Sequence, residues 1–151
     1  MTKAENPIMT LALDAAAKAG AAGEVPIGAV VVDADGRVIA RSGNRVERDG
    51  DPTAHAEMVV LREAAARLGV KTLSNCDLYV SLEPCPMCAA ALALAHIRRL
   101  YFAAFDPKGG GVEHGPRIFT QPTCHHRPEV YGGIGERRAA ALLRDFFRER
   151  R

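Results

Sequence analysis

The sequence predicts an α/β sandwich, and three observations predict it. From Thr53 onward, stretches with helical apolar spacing alternate with short apolar runs, the pattern that pairs successive strands in parallel beneath helices. Ahead of them, two apolar runs flank Asp33-Ala34-Asp35-Gly36, which is strong turn chemistry for an antiparallel hairpin. Finally, 151 residues with 48% hydrophobic content suffice for one real core and are too few for two. One domain spanning 1–151 is therefore expected.

The elements follow in order. Ile8, Leu11, Ala12, Ala15, Ala16 and Ala19 recur at helical spacing behind Pro7, a first-turn residue, so the chain opens with a helix ending near Gly20. Ile27 to Val32 reads as a buried strand and Val38 to Ala40 as its hairpin partner, with a polar loop from Ser42 to Pro52. Thr53 is suited to cap the next helix, whose stripe is Met58, Leu61, Ala65 and Leu68 and whose end is Gly69; His55 then falls in the first turn. Leu78 to Leu82 is a strand running into Glu83-Pro84, followed by an apolar helix from Met87 to Ala95 and a strand from Leu100 to Phe105. Lys108 to Gly111 opens an irregular stretch reaching Pro128, and Val130-Tyr131 marks a last short strand. Ala139, Leu142, Leu143, Phe146 and Phe147 form the apolar stripe of a closing helix, about 136–151, with Arg137, Arg144, Arg148 and Arg151 along another face.

Composition narrows the function classes. The formal charge of +2 does not announce a nucleic-acid binder, although arginines concentrate in the closing helix, where they are either a solvated face or a phosphate-binding one. The apolar stretch Leu11 to Ala22 carries Asp14 and Lys18, unlike a signal peptide, and no run approaches membrane-spanning length, so a cytoplasmic protein without a membrane partner is expected. Two of the four cysteines form Cys85-x-x-Cys88, a metal-binding spacing; Cys76 and Cys124 are expected to be free thiols.

The chemistry lies in the pairing of Thr53-Ala54-His55-Ala56-Glu57 with Glu83-Pro84-Cys85-Pro86-Met87-Cys88. His55, Cys85 and Cys88 supply three sides of a zinc tetrahedron and leave the fourth to water, whereas a structural site would fill it with another Cys or His. Helix-start N–H groups and the metal favour the two thiolates. Glu57, two residues from a ligand, is placed to carry protons rather than to bind metal, which points to hydrolytic deamination. The competing reading is a structural zinc clip with Glu57 as a surface charge. Cys124-His125-His126 cannot all face one point, so a second metal is not expected there. Lys108-Gly109-Gly110-Gly111 lacks the order of a nucleotide phosphate loop and suits a substrate-side loop.

His-x-Glu followed by Pro-Cys-x-x-Cys is the signature of zinc nucleobase deaminases. Combined with Gly43-Asn44-Arg45, Asp106-Pro107-Lys108-Gly109-Gly110 and the Phe146-Phe147-Arg148 ending, the chain resembles the bacterial tRNA adenosine deaminases of the cytidine and deoxycytidylate deaminase superfamily, along nearly its whole length. The resemblance implies a three-layer sandwich with a five-stranded mixed sheet between helices, one zinc per subunit and a homodimer. It implies conversion of adenosine to inosine at the wobble position of a tRNA anticodon stem-loop, with release of ammonia. Asn44, otherwise plain turn chemistry, becomes a contact to the target base or its sugar. The Ala56 N–H would be available to a base edge, Ile27, Leu82 and Phe146 are candidate apolar walls, and Asp106 and Lys108 belong to the substrate loop. Arg148, Arg150 and Arg151 would meet the stem-loop, with Glu149 an acid among them. A deaminase of free cytosine, guanine or nucleosides shares the same core and stays open as an alternative, as, more remotely, does a non-catalytic zinc module that binds RNA.

Overall fold

In the computed structural model, which describes residues 5–150, Asn6 Oδ1 accepts the Met9 N–H at 2.9 Å and Pro7 takes the first helical position. Both features satisfy or remove donors that a helix start leaves free. Helix α1 (Pro7–Ala21) is followed by β1 (Gly28–Val32) and β2 (Val38–Gly43), a short α2 (Val46–Asp49), α3 (Ala56–Leu68), β3 (Asp77–Leu82), α4 (Pro86–Leu94), β4 (Arg99–Ala104), β5 (Glu129–Gly132) and α5 (Glu136–Glu149).

The strands form one five-stranded mixed sheet in the order β2-β1-β3-β4-β5. β1 runs antiparallel to both β2 and β3, while β3, β4 and β5 are mutually parallel. Parallel pairing after β3 follows from the crossover connection that α4 makes between β3 and β4. Every residue of the central β1 is buried, and its side chains alternate between two cores. Ala29 and Val31 join Val60, Leu61 and Ala64 of α3 and Ala89 and Leu92 of α4 on one face. Val30 and Val32 join Met9, Ala12 and Leu13 of α1 and Ala139 of α5 on the other. The expected three layers are thus present. Helix α1 lies so close to the sheet that a Cβ on Gly28 would collide with the Ala12 carbonyl and the Ala16 nitrogen.

Three local expectations are corrected. Thr53 does not cap α3, because its N–H and Oγ1 both donate to Asp51 Oδ1 at 2.8 Å in a side-chain turn; His55 occupies the cap position instead, with extended backbone at φ −66°, ψ 150°. The polar loop contains α2, whose first N–H groups, from Glu47 and Arg48, are taken by the buried Glu24 carboxylate at 3.0 and 2.8 Å. The irregular stretch holds a short 3-10 turn, Ile118–Thr120.

Candidate active site

Two helix N-termini converge at the end of β3. Cys85 is the residue before α4, with Pro86 at its first position, and Cys88 follows one turn later; His55 is the residue before α3. Neither cap residue satisfies its own helix with a side chain, so both side chains turn toward each other. His55 Nδ1 lies 3.6 Å from Cys85 Sγ and 3.5 Å from Cys88 Sγ, and the three ligand atoms lie within 4.8 Å of one another. Cys88 is buried while His55 and Cys85 are half-buried, leaving one side of the cluster approachable.

The donor set fits a divalent cation. Without one, the two thiols compete for a proton. A hydrogen bond from the Cys88 side chain draws the Cys85 thiol down to about 5, and the same bond, with burial and the nearby Glu57, pushes Cys88 far up. A dication at the centre relieves this conflict by letting both ionise, and two thiolates with one imidazole match zinc in number and kind.

Glu57 sits in the first turn of α3 and is 4% exposed. Burial raises its carboxyl from 4.5 to about 7, with Cys85 adding to the rise, while its own backbone N–H and His55 oppose it. The side chain therefore exchanges a proton near neutrality, as an acid–base group requires. Asn44, also buried, follows the end of β2; its N–H donates to the Ile27 carbonyl at 2.9 Å and its Oδ1 accepts the Ala56 N–H at 2.9 Å. The Ala56 N–H, expected to be available to a base edge, is engaged by Asn44 in this structure.

The cytidine and deoxycytidylate deaminase zinc-binding region matches residues 2–104, which include all three ligands and Glu57. The chain is 61% identical over 143 residues to the tRNA-specific adenosine deaminase of Agrobacterium fabrum, covering 95% of this chain and 93% of that protein. The chain belongs to the tRNA-specific adenosine deaminase family. Among solved structures, one from studies of A-to-I editing by tRNA deaminases at the wobble position superimposes with a TM-score of 0.88 at 60% identity, covering 90% of this chain and 98% of that one. Guanine deaminase from Nitrosomonas europaea aligns with a TM-score of 0.80 at 27% identity, over 96% and 86% of the two chains.

The remaining candidates of this tRNA-specific adenosine deaminase relative fall in three places. Asp106 Oδ1 accepts the Lys108 and Gly109 N–H groups at 3.2 and 3.0 Å, so it shapes the loop that carries the exposed Lys108. Ile27 packs against the core beneath α3 and α4, whereas Leu82 packs against the opposite core beneath α1 and α5; the two do not form one wall. Phe146 is 9% exposed and lies with Pro26, Gly20, Ala21 and Leu142 around a cavity of about 200 Å³. Arg150 stacks on the Phe146 ring at 3.5 Å and donates to its carbonyl, so part of its bonding capacity is spent within the helix. Arg148 is exposed, and Arg151 lies outside the described residues.

Sequence reasoning passed over Glu83. Its carboxylate is fully buried and accepts the N–H groups of Asp106, Val112, Glu113 and His114 as well as His114 Nδ1. Burial alone would raise this carboxyl, but the N–H donors and His114 outweigh it and hold it below the ordinary 4.5. Cys124 and His126 are used locally: Cys124 Sγ donates to the His126 carbonyl, and His126 Nε2 lies 2.7 Å from the Ile97 carbonyl. Among the described residues, His55, Cys85 and Cys88 are the metal-ligand cluster found, and Cys76 and Cys124 are free thiols, as expected.

Proposed function

We propose that this protein deaminates adenosine to inosine at the wobble position of a tRNA anticodon, hydrolytically and with release of ammonia. The observation that carries the reading is the buried Glu57 carboxyl beside the His55, Cys85 and Cys88 cluster in a chain 61% identical to a tRNA-specific adenosine deaminase. The likeness to guanine deaminase supports free guanine as the competing substrate, at much lower identity.

His55, Cys85 and Cys88 would hold a zinc ion, which would supply Lewis-acid activation of water. Glu57 would take one proton from the attacking water and deliver it to the ring nitrogen beside the carbon attacked, then take the second proton from the hydroxyl now on that carbon and pass it to the amine, which leaves as ammonia as the carbonyl forms. Asn44 fixes the α3 start through Ala56, beside His55 and Glu57, and is assigned to the base or its sugar. An anticodon loop presents unstacked bases, which lowers the cost of drawing one into the site. Lys108, Arg148, Arg150 and Arg151 contribute positive charge toward the RNA backbone.

We further infer that residues 1–151 act as one deaminase domain with α5 as its RNA-facing edge, in a cytoplasmic homodimer. The dimer is inferred from the family likeness, and Leu94, 79% exposed at the end of the apolar helix α4, is the position at which it can be probed. No helix among the described residues is long and apolar enough to cross a membrane.

Glu57→Gln tests the catalytic assignment. The variant keeps its zinc and loses about 10²- to 10⁴-fold in inosine formation on an anticodon stem-loop. Unchanged turnover in the variant would remove Glu57 from the proton transfers, and a zinc-loaded parent protein that binds the stem-loop but forms no inosine would favour a non-catalytic RNA-binding module.

A further inference from the structure

Among the described residues, Glu83 is the buried charge with the most hydrogen-bond partners. Glu83 closes β3, two residues before the zinc ligand Cys85. Its Oε1 accepts the Asp106 N–H at 3.0 Å and contacts His114 Nδ1 at 2.8 Å; its Oε2 accepts from Val112, Glu113 and His114 at 3.2, 2.9 and 3.1 Å. One carboxylate thus gathers both ends of the 106–114 loop. Around it the backbone of the turn and the loop are locked together. The Glu83 N–H donates to the Ala104 carbonyl and the Gly111 N–H to the Pro84 carbonyl, each at 2.8 Å. A Cβ on Gly111 would lie 2.6 Å from the Pro86 nitrogen and 2.8 Å from the Cys85 carbonyl carbon, and one on Gly110 would strike Glu83 Oε2. The loop backbone therefore rests directly on the turn that carries a metal ligand, with no room for a side chain between.

Burying a carboxylate is costly unless it is fully hydrogen-bonded, and a neutral acceptor at the same place would hold a β-to-α connection at lower cost. Five donors converging on two oxygens also make the contact geometrically demanding, since any shift of the loop breaks several charge-assisted bonds together. We propose that Glu83 is a positioning residue for the deamination: its carboxylate latches the 106–114 loop onto the Cys85 turn, so that Asp106 and Lys108 meet the substrate in fixed register with the zinc site. This rests on the deaminase reading above and adds to it a residue that touches neither substrate nor metal.

Glu83→Gln is the discriminating variant. It is isosteric, and its carbonyl can retain the Val112, Glu113 and His114 N–H bonds, but its amide nitrogen then faces the Asp106 N–H, donor against donor. The expected result is a full zinc complement, amide exchange at Asp106 faster by about 10-fold or more, and a KM for the anticodon stem-loop raised about 10- to 100-fold with kcat altered less than about threefold. Gly110→Ala disturbs the same latch from the loop side while leaving the carboxylate in place. The double variant should lose no more than the worse single one, because both release one contact set. Unchanged Asp106 exchange in Glu83→Gln, loss of its zinc, or fast exchange with an unaltered KM would each overturn the proposal. Should the unmodified protein leave RNA untouched, the editing reading fails by itself. Exchange and zinc content then still decide whether Glu83 holds the loop, and the KM comparison moves to whichever free base is turned over.

Discussion

Asn44 shows how a residue's identity and its use can diverge. Within Gly43-Asn44-Arg45 it reads as turn chemistry, yet its side-chain oxygen caps a helix twelve residues away by accepting the Ala56 N–H at 2.9 Å. The cap position itself belongs to His55, whose imidazole is directed to the cysteines and cannot serve the helix. One residue gives up capping in order to bind metal, and another supplies it. Asn44→Ala should therefore lower the unfolding free energy by about 1 to 2 kcal/mol, visible as a reduced Tm, whereas Asn44→Asp keeps an acceptor and most of the stability. If both variants lose activity but only alanine loses stability, the side-chain amide has a separate role toward substrate. The zinc ligands were legible because their spacing is dictated by coordination chemistry. Glu83 was not, since a residue that binds five groups spread over 106–114 leaves no local pattern.

At the level of elements, every helix and strand with a clear apolar period was legible to within a few residues, and the misses are short pieces held by side chains. Helix α2 has four residues and no buried ones, and depends on Glu24 from before β1, so nothing in its own sequence announces it. The closing helix separates structural from RNA-facing roles residue by residue. Phe146 is an anchor: Phe146→Ala should cost about 3 kcal/mol in thermal or denaturant unfolding. Arg148 is exposed, so Arg148→Ala should leave stability within about 0.5 kcal/mol while weakening RNA binding and reducing its salt dependence by roughly 0.7 in log–log slope, as loss of one phosphate contact to a single strand does. Equal slopes for the variant and the parent protein would remove Arg148 from the RNA surface.

For the whole molecule, the sheet order β2-β1-β3-β4-β5 explains why the site lies where it does. The parallel half sends α4 out from the end of β3, and the antiparallel hairpin brings Asn44 and the approach to α3 to the same edge. Sequence periodicity predicted the layers and the parallel pairs; the mixed sheet was expected from family resemblance, because the pairing of β1 with β3 leaves no signal in either strand. The assembly is the least legible level. Leu94, 79% exposed, is the residue whose burial a homodimer would explain, so Leu94→Glu should shift the protein from dimer to monomer in sedimentation without unfolding it. An unchanged sedimentation coefficient would place the interface elsewhere.

The central claim is that this zinc site acts on adenosine held in RNA. It is tested most directly by comparing kcat/KM of the zinc-loaded protein on an anticodon stem-loop carrying a wobble adenosine with that on free adenosine, cytidine and guanine. Inosine formation on the stem-loop, absent from the free compounds and abolished by chelation, is the predicted result. Turnover of free guanine with an untouched stem-loop would keep the site and contradict the substrate.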